Sequence, residues 1–144
     1  MGENEKVIRA GSYETDLIPE VYIIEKEGVK TKVIQKVISQ GYNGSIELLF
    51  GISISGENLS DITVLNHNET ADYGGYLTKE WFLERFIDRD VRRQLELVKI
   101  INKKPEEVVA ITGATITSRG VVDGANRAFK NYLKIMEEYQ DEKN

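Results

Sequence analysis

Residues 45–54 read SIELLFGISI, and their alternation decides what kind of fold the chain can form. Ile46, Leu48, Phe50, Ile52 and Ile54 fall on one side of an extended backbone; Glu47, Gly51 and Ser53 fall on the other. A period of two is the period of a strand, and a strand apolar on one side belongs to a sheet covered on one face. Outward from it the pattern repeats. Gly41-Tyr42-Asn43-Gly44 is a turn cluster, preceded by Lys32 to Ile38, where Val33 and Val37 oppose lysines and Gln35. Val21 to Ile24 is rich in β-branched and aromatic residues, with Gly28 as a turn behind it. In the other direction Ser55-Gly56-Glu57-Asn58 turns the chain into Leu59 to Asn66, where Ile62 and Val64 alternate. The expectation is an antiparallel meander with one packed face.

The second half changes period. Thr78 has the position of an N-cap, with Leu77 and Phe82 as a hydrophobic staple, before a short helix whose Trp81, Phe82 and Phe86 read as core. Asp88 to Arg93 reads as a charged, solvated break, Leu95 to Ile101 as a strand, and Asn102 to Glu107 as a polar loop. Val121 or Val122, Ala125, Phe129, Tyr132, Leu133 and Met136 recur at three- and four-residue spacing, which predicts an amphipathic helix. Strands grouped before helices indicate an α+β fold, a sheet meander flanked by helices. Residues 1–144 are expected to be a single domain, with 1–20 an extended or helical N-terminal arm and 137–144 a solvated tail.

Composition narrows the function. A chain of 144 residues can bury roughly two thirds of its unfolded surface. A net charge of -5 argues against nucleic acid as a partner. With no cysteine, disulfides, thiolate nucleophiles, iron–sulfur clusters and cysteine zinc sites are excluded. His67 is the lone histidine, which excludes His-rich metal sites. With no Ser or Asp at a telling spacing, it reads as a surface or loop-anchoring residue. Glu69 and Asp72 read as solvated loop acids, and no metal is expected. No apolar run approaches the ~18 residues of a membrane span.

The chemistry-bearing stretch is VVAITGATITSRGVVDGANRAF, residues 108–129. Thr112, Thr115, Thr117 and Ser118 crowd around Gly113-Ala114 where the last helix begins. Two readings fit. Thr117 or Ser118 caps the helix, while the small residues permit a tight approach to the sheet. Alternatively, the loop binds a phosphate: a helix N-terminus offers free N–H donors and partial positive charge, and hydroxyls add hydrogen bonds. The P-loop lysine and the G-x-G-x-x-G spacing are both missing, so a monophosphate such as that of FMN suits the loop better than ATP or a dinucleotide.

Thr112-Gly113-Ala114-Thr115-Ile116-Thr117-Ser118 resembles the Ser/Thr-Gly-Ala-Thr-x-Ser/Thr-Ser signature of the FMN-binding domain. That domain occurs in the G subunit of the Rnf electron-transport complex and in the C subunit of the sodium-pumping NADH:quinone reductase. His67-Asn68-Glu69-Thr70, followed by Gly74, is similar to the family's His-x-Glu-Thr-Pro-Gly-Leu-Gly loop. Gly41-Tyr42-Asn43-Gly44 fits its Gly-Tyr-x-Gly turn, so three motifs stand in the right order between Gly41 and Tyr132.

The resemblance implies FMN as cofactor, joined by a phosphoester to Thr115 and installed by a flavin transferase. It implies Thr112, Gly113, Ala114, Thr117, Ser118, Glu69 and Thr70 as further cofactor-binding residues, and an electron carrier rather than a complete enzyme, with no catalytic residues of its own. It also implies the other components of a membrane electron-transport complex as partners, on the extracytoplasmic side of a cell membrane. The chain itself is expected to be soluble, its anchor absent. Two positions depart from the family: Val109 stands where the signature has Asp, and Ala71-Asp72-Tyr73 replaces Pro-Gly-Leu. Tyr73 either stacks on the flavin ring or covers the core.

Overall fold

The computed structural model describes residues 4–101 and 103–143, with side chains described to residue 139. Five strands form one antiparallel sheet in chain order: β1 (Glu5–Arg9), β2 (Glu20–Lys26), β3 (Val29–Gln40), β4 (Ser45–Ser53) and β5 (Asn58–Asn66). This is the expected meander, with β2 and β3 longer than the sequence pattern marked. The described part of the 1–20 arm supplies β1, whose Val7 and Ile8 are exposed, so its burial pattern carried little strand signal.

After β5 come a 3-10 turn (Gly74–Thr78), the single-turn helix α1 (Glu80–Leu83) and a second 3-10 turn (Glu84–Phe86). Two short strands, β6 (Glu96–Val98) and β7 (Glu107–Val109), pair in parallel apart from the main sheet. The long helix α2 (Thr115–Lys143) ends the fold.

Several expectations need correcting. Thr78 is not the cap of α1: that position is Lys79, and the Thr78 hydroxyl instead donates to the Gly75 carbonyl at 3.2 Å. Leu77, Phe82 and Phe86 are fully buried, but Trp81 is 47% exposed, because adjacent positions of a helical turn point about 100° apart and Phe82 takes the inward one. Trp81 leans on Tyr76 and under the Arg85 guanidinium, 5.1 Å from its ring. The segment Asp88 to Arg93 is solvated only in part: Asp88, Arg92 and Arg93 are exposed, but its backbone is tied down. Leu59 exchanges backbone hydrogen bonds with Asp88 and Arg89, and Val91 is buried. The expected strand Leu95 to Ile101 shrinks to β6, and Glu107 begins β7 rather than ending a loop. Residue 102 of that loop and residue 144 of the tail lie outside the described residues. From Glu137 the chain stays helical to Lys143, and Lys30 sits 4.3 Å from the Tyr139 ring.

The core lies between α2 and one sheet face. Val33, Val37, Ile46, Leu48, Phe50 and Ile52 meet Val121, Ala125, Ala128, Phe129 and Tyr132, all buried. Each large apolar side chain removed from water here contributes about 1.5–3 kcal/mol. Polar groups on this face are paired, as a dry interior requires. Ser39 Oγ donates to the Gly120 carbonyl at 2.6 Å, Gln35 Nε2 to that of Ala128 at 2.8 Å, and Arg127 Nη1 to that of Ile38 at 3.0 Å. Gln35 thus shares the packed face with Val33 and Val37 rather than opposing them, as alternate positions of one strand must.

These bonds draw α2 so close that Gly120 has no room for a side chain. A Cβ there would sit 2.5 Å from the Gln40 carbonyl oxygen. Gly120→Ala sets a gain of about 1 kcal/mol in helix propensity against an overpacking cost of about 1–3 kcal/mol. The obstacle is backbone, so the cost wins. Gly120→Ala should lower stability by up to about 2 kcal/mol, a fall of up to about 8 °C in Tm by calorimetry; a stabilising result would mean α2 does not sit this close.

Candidate functional site

The N-terminus of α2 is prepared by a tight turn. The Ala114 N–H donates to the Ile111 carbonyl at 2.9 Å, and Gly113 has φ +80°, which makes Ile111 to Ala114 a type II turn needing glycine at its third position. Ser118 holds this turn from inside. Its Oγ accepts the Ile111 N–H at 2.9 Å and donates to the Ala114 carbonyl at 2.8 Å, and the residue is fully buried.

Thr117 also faces inward, where its hydroxyl donates to the Glu69 carboxylate. Glu69 is 8% exposed and accepts two backbone N–H groups besides: Tyr42 at 2.8 Å on Oε1 and Asn43 at 2.8 Å on Oε2. Its own N–H donates to His67 Nδ1 at 3.0 Å, so the histidine anchors this loop. Thr70 Oγ1 accepts from Asn43 Nδ2 at 3.1 Å. The three sequence motifs therefore converge on one carboxylate. Glu69 is not a solvated acid, as the sequence suggested, and its lone pairs are engaged by the chain's own donors. Burial pushes its pKa up, but the Thr117 hydroxyl and the Asn43 and Tyr42 N–H groups prevail, and the carboxyl is held below its ordinary value of 4.5.

Beside this cluster opens a cavity of about 490 Å³, lined among others by Tyr42, Thr70, Tyr73, Ala114, Thr115 and Thr117. That size lies within the ~300–1,000 Å³ typical of cofactor pockets. Thr115 is the first residue of α2 and half-buried, and its hydroxyl makes no hydrogen bond among the described residues. Of the residues expected to bind cofactor, Glu69, Thr70, Gly113, Ala114, Thr115 and Thr117 line the cavity; Thr112 and Ser118 do not. Thr112 is exposed on the turn, and Ser118 lies behind it. Asn43 and Ile116 also line the cavity without having been singled out as cofactor ligands. Asn43 was readable as part of a turn, whereas exposed Ile116 carried no signal. Val109 lies in β7, half-buried, and its carbonyl accepts Arg85 Nη1 at 2.7 Å.

A sheet covered by one helix, with an unpaired hydroxyl and free N–H groups at that helix's start beside an open cavity, defines an α+β ligand-holding domain suited to an anionic group. The chain belongs to the FMN-binding domain family, whose model matches residues 41–130. The G subunit of the Na(+)-translocating ferredoxin:NAD(+) oxidoreductase complex of Acetobacterium woodii is 33% identical over 118 residues, covering 81% of this chain and 56% of the relative. The G subunit of the ion-translocating oxidoreductase complex of Methanosarcina acetivorans is 35% identical over 97 residues, covering 67% and 48%. The chain thus spans about half the length of these relatives. Among solved structures, the C subunit of the Na(+)-translocating NADH-quinone reductase of Parabacteroides distasonis shares the fold with a TM-score of 0.67 at 20% identity, covering 80% of this chain and 61% of that one.

FMN is the cofactor of this family, and the residues present fit it. A phosphate there would meet the first-turn N–H groups and the Thr115 hydroxyl, and a planar ring would meet aromatic side chains at Tyr42 and Tyr73.

The Glu69 cluster makes a prediction in pH. A carboxyl whose folded pKa lies below its unfolded value adds stability above the unfolded pKa and loses it as pH falls through the folded one. Glu69→Gln should cost about 1–3 kcal/mol at neutral pH, because donors lose a charged acceptor. The gap between wild type and Glu69→Gln should then narrow in buffers progressively more acid than 4.5. Urea unfolding across that range checks it; a gap independent of pH would show that the ionised carboxylate is not the stabilising form.

Proposed function

We propose that this domain carries FMN through a phosphoester on Thr115 and serves as the electron-carrying part of an ion-translocating oxidoreductase complex. The observation that supports it most is the unpartnered Thr115 hydroxyl at the first residue of α2, on the wall of a cavity of cofactor size. Thr117 and Ser118 have their hydroxyls engaged inside the fold, and Thr112 is not part of the cavity lining. Position 115 is the hydroxyl that combines freedom with access.

Attachment is a phosphoryl transfer in which nothing is oxidised or reduced. Thr115 Oγ1 forms a bond to phosphorus and gives up its proton. The donor is an activated flavin nucleotide, whose phosphoanhydride bond breaks and whose nucleoside monophosphate departs; a flavin transferase supplies the catalysis. The resulting diester carries one negative charge, which the start of α2 favours by about 0.3–1 kcal/mol, or more when partly buried. That is too little to retain a cofactor by itself, so the covalent bond is what holds it. Bound there, FMN supplies reversible electron transfer.

The relatives named above are components of ion-translocating complexes, which supports further subunits as partners. No helix among the described residues is long and apolar enough to cross a membrane. In our reading the domain stands on the extracytoplasmic side, attached to the membrane through the assembly. A second reading, FMN held without a covalent bond, rests on Val109 in place of the signature's acid.

Protein produced together with a flavin transferase should stay yellow after denaturation. Its intact mass should exceed that of the bare chain by one FMN less one water. Thr115→Val should abolish the increment and Thr112→Val should keep it. An increment lost from Thr112→Val alone would overturn the assignment; colour that washes out on denaturation would favour non-covalent binding. A colourless product would indicate a module without redox function.

A further inference from the structure

Tyr73 presents a large aromatic ring to solvent while its backbone is fixed. The side chain is 58% exposed, and its phenol oxygen makes no hydrogen bond among the described residues. Yet the Tyr73 N–H donates to the Thr70 carbonyl at 3.1 Å and its carbonyl accepts the Tyr76 N–H at 3.1 Å. The Gly75 N–H closes the same loop onto the Thr70 carbonyl at 2.7 Å. The ring is therefore displayed from a rigid mount. It lies against the turn that starts α2, since a Cβ built on Gly113 would stand 3.5 Å from Tyr73 Cδ1.

Its neighbours sharpen the point. Tyr42, 70% exposed, and Ile116, 55% exposed, line the same cavity from two other segments. Large apolar side chains converging on the mouth of one cavity mark a binding surface rather than a scatter of surface residues. A flat aromatic ligand is what such a mouth accepts. Offset stacking on a tyrosine places ring centroids about 4.5–7 Å apart and shields the facing surfaces from water.

We propose that Tyr73 is the residue on which the isoalloxazine ring stacks in this chain, taking the place that Leu holds in the family's loop. This rests on the reading that FMN occupies the cavity. It goes beyond that reading because the phenol is an electron donor where an aliphatic side chain is not. On illumination an electron passes from the phenol to the excited ring and returns, so nothing is consumed and the fluorescence is lost.

The test is flavin fluorescence of the purified holoprotein, with flavin loading measured on each sample by absorbance and intact mass. Tyr73→Phe keeps the packing against Gly113 but removes the donor, so a purely structural Tyr73 would leave the emission as dim as in wild type. Stacking on Tyr73 instead makes the Tyr73→Phe and Tyr73→Leu proteins several-fold brighter at equal loading, while Tyr73→Trp stays dark. Unchanged emission from Tyr73→Phe, or brightening only in Tyr42→Phe, would overturn the proposal. Wild-type protein without flavin would bring down the functional reading itself, an outcome the loading measurement separates from the other two.

Discussion

One buried carboxylate holds the ligand-facing end of this fold together. Glu69 gathers a hydroxyl from α2 and two N–H groups from the β3–β4 turn, while its own N–H is held by His67. Burying a carboxylate costs several kcal/mol, and hydrogen bonds to a charged group return about 1.5–3 kcal/mol each. The balance is close. The chief product of the cluster is accordingly position rather than net stability: it sets the turn, the loop after β5 and the start of α2 in one arrangement. Space is rationed to match. A Cβ on Gly41 would stand 2.7 Å from Glu69 Oε1, and one on Gly74 would stand 2.5 Å from Thr117 Oγ1. The glycines of the motifs are there because the carboxylate and its donors fill the room a side chain would need.

The sheet makes that convergence possible. Register between β3 and β4 fixes where their turn emerges, and Gln40 opposite Ser45 closes the ladder just before Gly41. The same stretch of β3 receives α2, through Ser39 on Gly120 and the close approach of Gly120 to Gln40. The helix start and the β3–β4 turn are thus referenced to one strand end. A shift of α2 by one residue along its axis would move Thr117 away from Glu69 and turn Thr115 from the cavity.

Much of this was legible in the sequence because strong periodicity survives without tertiary knowledge. Residues 45–54 alternate so regularly that β4 follows directly, and with it the meander. The spacing of Val121, Ala125, Phe129 and Tyr132 likewise announces α2. What could not be read depends on distant partners. β6 lies inside the strand expected from Leu95 to Ile101, but β7 is three residues long and pairs with it in parallel across a loop, so β7 carries no period long enough to recognise. Glu69 looked like a loop acid because its donors come from residues 42, 43 and 117, which only the fold brings together. Trp81 looked like core because hydrophobicity says nothing about which way a single helical turn will face.

The four hydroxyls around Gly113-Ala114 resolve along the same lines. A helix repeats every 3.6 residues, so consecutive positions in its first turn point in different directions. Thr117 and Ser118 point inward, one to Glu69 and the other to the turn it stabilises. Thr112 precedes the helix on the exposed corner of that turn. Thr115 is left beside the cavity with an unengaged oxygen, near the free N–H groups of the first turn. Neither Thr117 nor Ser118 caps the helix as the sequence suggested: α2 begins at Thr115, so both lie inside its first turn, and their hydroxyls serve Glu69, Ile111 and Ala114 rather than a first-turn N–H. The inward hydroxyls build the helix start, and by building it they determine which hydroxyl remains for chemistry.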